Sequence, residues 1–261
     1  MGNMEFIKKS GNNPPELWTD TYNVHSYHSD RFGKLKLNVI AGFLQESAWL
    51  HSNACGIGYK DLLLIGKLWI LSGLRIRIIT LPAWGDELTL NTWGNEYEDP
   101  FAYRDFELLD SSGKQVICGS TSWLLINASN HRPNRITPEY QKIPRRGVSS
   151  GSGKPERIPA FSETGTVNTR LVLPSDIDIY QHVNNAKYIE YCTDLLPVEL
   201  WDHAETESIT INYLSESLPD NTIRFNILKK HDFQYLFSAY NETLKREIFR
   251  ADFVFRKKPT H

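Results

Sequence analysis

The order of segments along this chain occurs twice, and that repetition constrains the fold more than any single motif does. In the first half, an amphipathic helix is predicted over residues 37–53, with apolar positions at Leu37, Ile40, Leu44 and Ala48. Strand-like runs follow over 74–79, 87–93, 103–109 and 120–126, with turns at 81–86 and 110–113. In the second half, a helix starts after Asn184 and Asn185. It carries Tyr188, Ile189, Cys192, Leu195 and Leu196 at helical spacing and ends near Pro197. Runs over 208–214, 222–228, 235–240 and 248–255 follow it, with a turn at 218–221. Leu81-Pro82 and Leu218-Pro219 occupy equivalent places. A long helix followed by an antiparallel meander, twice over, implies an α+β architecture in which each sheet wraps its helix. Between the halves, residues 144–157 are rich in Gly, Ser and basic residues and show no periodicity. The expected division is 1–145, a linker at 146–160, and 161–261. Gly153-Lys154 in that linker does not complete a phosphate loop. Val148 stands where the leading glycine is needed, and Pro155 stands where Ser or Thr is needed.

Composition narrows the class. At 261 residues, 40% hydrophobic and 23% charged, the chain has the make-up of a globular protein with room for two compact units. No apolar run reaches membrane-spanning length. The start, Met1-Gly-Asn-Met-Glu-Phe, has neither the basic nor the apolar region of a signal peptide, nor the Ser or Thr of a myristoylation motif, so a cytoplasmic location is the expectation. Cys55, Cys118 and Cys192 are widely spaced with no Cys-x-x-Cys pair, which fits a reducing compartment. A net charge of −2 argues against a general nucleic-acid binder. His25 and His28 are close in sequence, but no acid or cysteine cluster joins them, so neither a metal nor a cofactor is implied.

Chemistry concentrates in residues 175–191, Ser-Asp-Ile-Asp-Ile-Tyr-Gln-His-Val-Asn-Asn-Ala-Lys-Tyr-Ile-Glu-Tyr. Two acids, a histidine and two asparagines sit in a turn that runs into the second helix. Asparagine is a favoured N-cap, because its side-chain oxygen accepts from free amides of the first turn. Amides left over there make a positive patch able to hold a developing oxyanion. Asp178 and His182 lie just ahead of that patch. Taken singly, each of these residues is also an ordinary turn or cap residue.

The combination resembles the signature of hotdog-fold thioesterases, in particular the acyl-(acyl carrier protein) thioesterases. The resemblance extends to residues 37–48, to Pro82-Ala-Trp-Gly-Asp86 leading to Thr92-Trp93, to Arg104-Asp-Phe, and to Ser122-Trp123 followed by Asn127 and Arg132. It runs from about Tyr22 to about Phe255. It implies a tandem hotdog fold that hydrolyses the thioester between a fatty acyl chain and the carrier's phosphopantetheine arm. Chemistry would lie in the C-terminal half and acyl-chain selection in the N-terminal half. The family's catalytic pattern is Asp-x-Asn-x-His, then Glu-Cys. Here Asp178 and His182 match while Tyr180 replaces asparagine, and Glu216 matches while Ser217 replaces cysteine.

These replacements favour direct attack by water, with Glu216 or Asp178 as general base and His182 orienting substrate or protonating the thiolate. Helix-start amides near Asn184 and Asn185 would hold the oxyanion. The rival is a Ser217–His182–Asp178 nucleophile triad. Aligning the two predicted helix starts sets Lys36 against His182, Phe32 against Asp178 and Ile79 against Glu216, so one site per chain is expected. The first half would instead wall an apolar tunnel, with Leu44, Trp49 and Trp69 as lining candidates and Tyr180 contributing to substrate binding. The acidic carrier would meet the basic segment of Arg132, Arg135, Lys142, Arg145 and Arg146. A thioesterase acting on acyl-coenzyme A, a non-catalytic acyl-thioester binder and a hotdog dehydratase share this machinery. Either a monomer or a homodimer fits.

Overall fold

The computed structural model describes residues 15–162 and 165–258; the N-terminal stretch read above for targeting signals lies outside them. The elements are β1 (Trp18–Asn23), α1 (Leu37–Ala54), α2 (Tyr59–Leu63), β2 (Lys67–Ile78), β3 (Glu87–Glu98), β4 (Phe101–Leu109) and β5 (Gln115–Asn127). After a long connection come β6 (Thr166–Leu171), α3 (Asn185–Leu195), α4 (Leu200–His203), β7 (Ala204–Tyr213), β8 (Thr222–His231), β9 (Gln234–Asn241) and β10 (Arg246–Lys257). The strands form one sheet of ten in the order β1-β3-β4-β5-β2-β7-β10-β9-β8-β6, with every named pair antiparallel. Read outward from the centre, the two halves of that order correspond strand for strand. This is an α+β fold of the hotdog type, with helices held against a large antiparallel sheet.

The two predicted long helices and eight predicted strands are present, and most of the strands run longer than expected. β1 and β6 were not expected. They are the two edges of the sheet, and β6 is almost wholly exposed, so it lacks the alternating apolar residues that mark a half-buried strand.

The halves meet where β2 pairs with β7, from Gly73 opposite Asn212 to Arg77 opposite Ser208. Leu74 faces Ile211 and Ile76 faces Ile209 there, and all four are buried. One continuous apolar cluster includes Ile40 and Leu44 of α1, Ile189 and Cys192 of α3, and strand residues of both halves. The last turn of α1 rests on Arg104, a buried guanidinium that donates to His51 Nδ1 at 2.9 Å, Thr92 Oγ1 at 3.2 Å and Ser52 Oγ at 3.3 Å. A cation beneath a helix C-terminus complements the helix dipole. Burial, with the Arg104 charge beside it, pushes His51 down to about 3. It is therefore neutral, and its Nε2 donates to the Pro15 carbonyl at 2.8 Å. The three cysteines are free and buried. No helix among the described residues is long and apolar enough to cross a membrane.

The aperiodic connection is not a loose linker. It crosses the outer face of the sheet as a strap fixed by hydrogen bonds. Trp93 Nε1 donates to the Val148 carbonyl (2.7 Å), Ser150 N to Asp105 Oδ2 (2.8 Å), Arg75 Nε to the Ser152 carbonyl (2.7 Å), and Ile158 N to Asn212 Oδ1 (2.7 Å). It touches the seam directly at Gly73, where an added Cβ would lie 2.8 Å from Ser122 Oγ and 2.9 Å from Pro155 Cβ. Gly73→Val is therefore expected to lift the strap and destabilise the fold by about 1–3 kcal/mol. Urea unfolding should show a lower midpoint at nearly unchanged slope; an unchanged midpoint would mean that the strap does not bear on the seam.

Candidate active site

The loop before α3 is built by short-range bonds. Asp178 N donates to the His182 carbonyl (2.9 Å) and Gln181 N to the Asp178 carbonyl (3.0 Å), closing a tight turn with Gln181 at φ 67°. Asp178 Oδ1 accepts from Tyr180 N at 2.8 Å, and Ile177 bridges to Val183. Asn184 caps the helix as expected: its Oδ1 accepts from Ala186 N at 2.9 Å, and its carbonyl accepts from Lys187 N at 2.9 Å. Two helix-start amides are thus used internally. The amide of Asn185 is the one left without a partner among the described residues, a narrower donor set than the sequence suggested.

Val183 N donates to the Ser217 carbonyl (2.9 Å), which ties this loop to the segment after β7. That bond brings His182 Nε2 to 3.2 Å from Glu216 Oε2, both side chains being about one-third exposed. The other Glu216 oxygen, Oε1, lies 3.8 Å from Arg246 Nη2 at the start of β10, a neighbour that nothing in the sequence pattern singled out. Asn184 Nδ2 approaches Asp178 Oδ2 at 3.5 Å. Asp178, His182, Glu216, Asn184 and Asn185 are therefore brought together. Ser217 is not: it is fully buried, and its hydroxyl accepts from Asn241 Nδ2 at 3.2 Å. A serine with no exposed surface cannot present its oxygen to a substrate, so the nucleophile triad has no structural basis.

The first half contains the same loop without the same chemistry. Asp30 N donates to the Lys34 carbonyl (2.8 Å), Gly33 takes the left-handed position of Gln181, Ser29 bridges to Leu35, and Lys36 is the N-cap of α1. Asp30 is thus the counterpart of Asp178, Phe32 of Tyr180 and Lys34 of His182, two residues away from the pairing expected above. Leu35 N donates to the Pro82 carbonyl as Val183 N does to that of Ser217, so Leu81, not Ile79, stands for Glu216. Asp30 Oδ1 accepts from Phe32 N (2.8 Å) and Lys34 N (2.9 Å), as Asp178 does from Tyr180 N.

Two cavities meet at the start of α3, and Ala186 lines both. A polar groove of about 290 Å³ runs past Asn38, Asp176, Asp178, Asn184, Lys187 and Glu190. On the other side an apolar channel begins at Asn185 and Ala186 and is walled by Leu44, Leu71, Phe106 and Trp123. Its free space is only about 10 Å³, room for roughly one water. Leu44 is on the wall. Trp69 is two residues before Leu71 on β2 and packs instead in a second cluster with Cys55, Ile57 and Leu62. Trp49 is off the wall as well; its indole faces Tyr180 with the N–H buried and short of hydrogen-bond geometry. Tyr180 reaches across from the second half to meet the Tyr59 ring edge-on, at 4.8 Å between centroids. Among the described residues, no cluster of three or more His, Cys, Asp or Glu is placed to hold a metal.

Comparison with known proteins gives matches over nearly all of the chain. The model of the acyl-ACP thioesterase N-terminal domain matches residues 15–143, and that of the acyl-ACP thioesterase C-terminal domain matches residues 162–256. The chain is 27% identical over 224 residues to oleoyl-acyl carrier protein thioesterase 2, chloroplastic, of Arabidopsis thaliana, covering 79% of this chain and 61% of that protein. It is 24% identical over 247 residues to dodecanoyl-[acyl-carrier-protein] hydrolase, chloroplastic, of Cinnamomum camphora, covering 85% and 64%. The chain thus spans less than two thirds of the length of these curated relatives. An acyl-ACP thioesterase from Bacteroides thetaiotaomicron has the same fold, with a TM-score of 0.86 at 24% identity over 92% of this chain and 98% of that one. The putative oleoyl thioesterase from Lactobacillus plantarum superposes with a TM-score of 0.77 at 25% identity over 94% and 96%.

Burial raises the Asp178 carboxyl above its ordinary range, and the hydrogen bond from the Tyr180 amide and the nearby His182 only partly offset this. The folded state therefore holds that proton more tightly than the unfolded chain does. This group's contribution to stability is present below about pH 4 and is lost as pH rises through the raised value. Replacing Asp178 by Asn should remove the loss, so the melting temperature of the variant relative to wild type should climb between pH 4 and 7. A constant difference across that range would contradict the raised value.

Proposed function

The chain belongs to the acyl-ACP thioesterase family, and from that premise we propose that it hydrolyses fatty acyl-(acyl carrier protein), releasing free fatty acid and the carrier's thiol. The observation that carries this reading is the meeting of an apolar channel and a polar groove at the first turn of α3, lined there by Asp178, Asn184 and Asn185, on the loop whose His182 pairs with Glu216. The apolar lining of the first cavity matches an acyl chain, for which its side chains have to make room, and the polar groove matches a pantetheine arm, which sets the thioester at the helix start. We read the chain as two hotdog units, 1–145 and 161–261, joined by the strap at 146–160. The matched ranges of the two family models and the mirrored strand order support that division.

In the proposed reaction Glu216 takes a proton from water, and the resulting hydroxide adds to the thioester carbon. The carbonyl oxygen becomes an oxyanion facing the free amide of Asn185 at the positive end of α3. Collapse breaks the C–S bond, the proton held by Glu216 passes to His182 across their 3.2 Å contact, and His182 gives a proton to the departing thiolate. Asp178 is a positioning residue: its counterpart Asp30 makes the same turn bonds in a loop where Lys34 and Leu81 stand in place of His182 and Glu216. That leaves Glu216 as the base.

Free-thiol release from matched acyl-carrier and acyl-coenzyme A thioesters over a series of chain lengths tests the assignment. Fast release from the carrier form with a chain-length optimum is expected. Release from coenzyme A alone would reassign the substrate, and binding without release would make the protein a sensor. Glu216→Gln is expected to lower kcat by roughly 10²–10⁴, whereas Ser217→Ala should retain most of the activity. Leu44 lines the channel and packs on Gly119, where an added Cβ would be 3.3 Å from Leu44 Cδ1. Leu44→Ala should therefore move the optimum to longer chains, each methylene accommodated being worth ~1–3 kcal/mol. It should also cost about 2–5 kcal/mol of stability, which denaturant melts would register. An unmoved optimum would place the chain elsewhere.

A further inference from the structure

The structure assigns a docking surface for an acidic, substrate-bearing carrier protein to the tip of α2 and the loop beside it; this rests on the hydrolase reading above. Three consecutive aliphatic side chains stand out of the fold here: Leu63, Leu64 and Ile65 are 45%, 87% and 57% exposed. Ile179, at the tip of the catalytic loop, is 78% exposed. The two protrusions are joined, because Tyr180 next to Ile179 packs against Tyr59 of α2. Isolated exposed aliphatics are common, but a contiguous group at a site mouth marks an interaction surface.

Charge identifies the partner. The turn after α2 is held to the loop following β5: Ala128 N donates to the Gly66 carbonyl at 2.9 Å and Lys67 Nζ to Asn134 Oδ1 at 2.5 Å. This places Arg132 and Arg135 beside the apolar tip, with Lys60 on α2 itself. All three are exposed, and none makes an ion pair among the described residues. An apolar tip rimmed by unpaired cations complements an acidic surface with apolar spots, the character of acyl carriers as a class. Reach favours a tethered substrate as well. Leu64 is five residues from Tyr59, roughly 8 Å at helical rise, and Tyr59 touches the loop that carries Asp178 and His182. A phosphopantetheine arm anchored at the tip spans that gap with length to spare.

The test compares wild type with Leu64→Ser/Ile65→Ser and with Lys60→Glu/Arg132→Glu, none of which lies in the catalytic machinery. Each is assayed on acyl-carrier thioester and on the same acyl group carried by free pantetheine. A rise of about tenfold or more in KM for the carrier substrate, with kcat and free-pantetheine turnover unchanged, is the expected result. Equal KM values for variants and wild type on the carrier form would overturn the surface while leaving the hydrolase reading in place. Unchanged KM with lost sedimentation on phosphatidylglycerol vesicles would reassign the tip to a lipid surface and also overturn the proposal. A wild-type protein inert on both thioesters would bring down the hydrolase reading and this surface with it.

Discussion

Everything in this molecule depends on the pairing of β2 with β7. Either strand alone would be a sheet edge with a row of unpaired backbone groups. Paired, they make one sheet of two and set Leu74, Ile76, Ile209 and Ile211 into a common core. The helices are registered by the same bond ladder. α1 and α3 lie side by side, with Asn38 of one donating to Glu190 of the other at 3.1 Å. Only that arrangement puts the walls of the apolar channel, drawn from α1, β2, β4 and β5, against the first residues of α3. The strap fastens the joint from outside, and Gly73 is where strand and strap come too close for a side chain.

Within that frame one loop is made twice, and the comparison separates architecture from chemistry. Both copies have an aspartate that accepts from the backbone two residues on, a left-handed residue three positions later, and a short bridge leading to a helix cap. What differs is what projects from it. Lys34 and Leu81 in the first half lie where His182 and Glu216 lie in the second, and Lys34 Nζ reaches no acid there, only the Leu81 carbonyl at 3.4 Å. A histidine–glutamate pair thus replaces a lysine and a leucine on an unchanged scaffold. The aspartate makes the same turn bond in both copies.

Much of this was legible in the sequence because burial leaves periodic traces. α1 and α3 show their apolar faces at helical spacing, and the central strands show alternation or short apolar runs. β1 and β6 left no trace, since an edge strand with an exposed face has no need of alternating apolar residues. The strap was equally silent: its contacts are backbone carbonyls and small hydroxyls, which any Gly- and Ser-rich segment offers. The pairing of the two loops was misjudged by two residues because the start of α1 has no capping side chain. Lys36 fills the N-cap position without a side-chain bond, whereas Asn184 announces itself. Trp49 and Trp69 were credible tunnel residues by size, yet size does not give direction; a fold brings one to Tyr180 and the other to a satellite cluster. Arg246 beside Glu216 and Arg104 beneath His51 are long-range meetings with no local pattern to betray them.

The nearly closed channel carries a further consequence. A continuous sheet backs both of its walls, so they are not two bodies that can swing apart about a hinge. Space for the proposed acyl chain has to come from side chains changing rotamer, with Leu44, Leu71 and Trp123 among those that line it. Such turns belong to the class of fast local motions, not the slower collective ones. Under the proposed function, acyl selection is then a question of which rotamers this interior can tolerate together, so chain length would be read by how far its side chains can crowd aside.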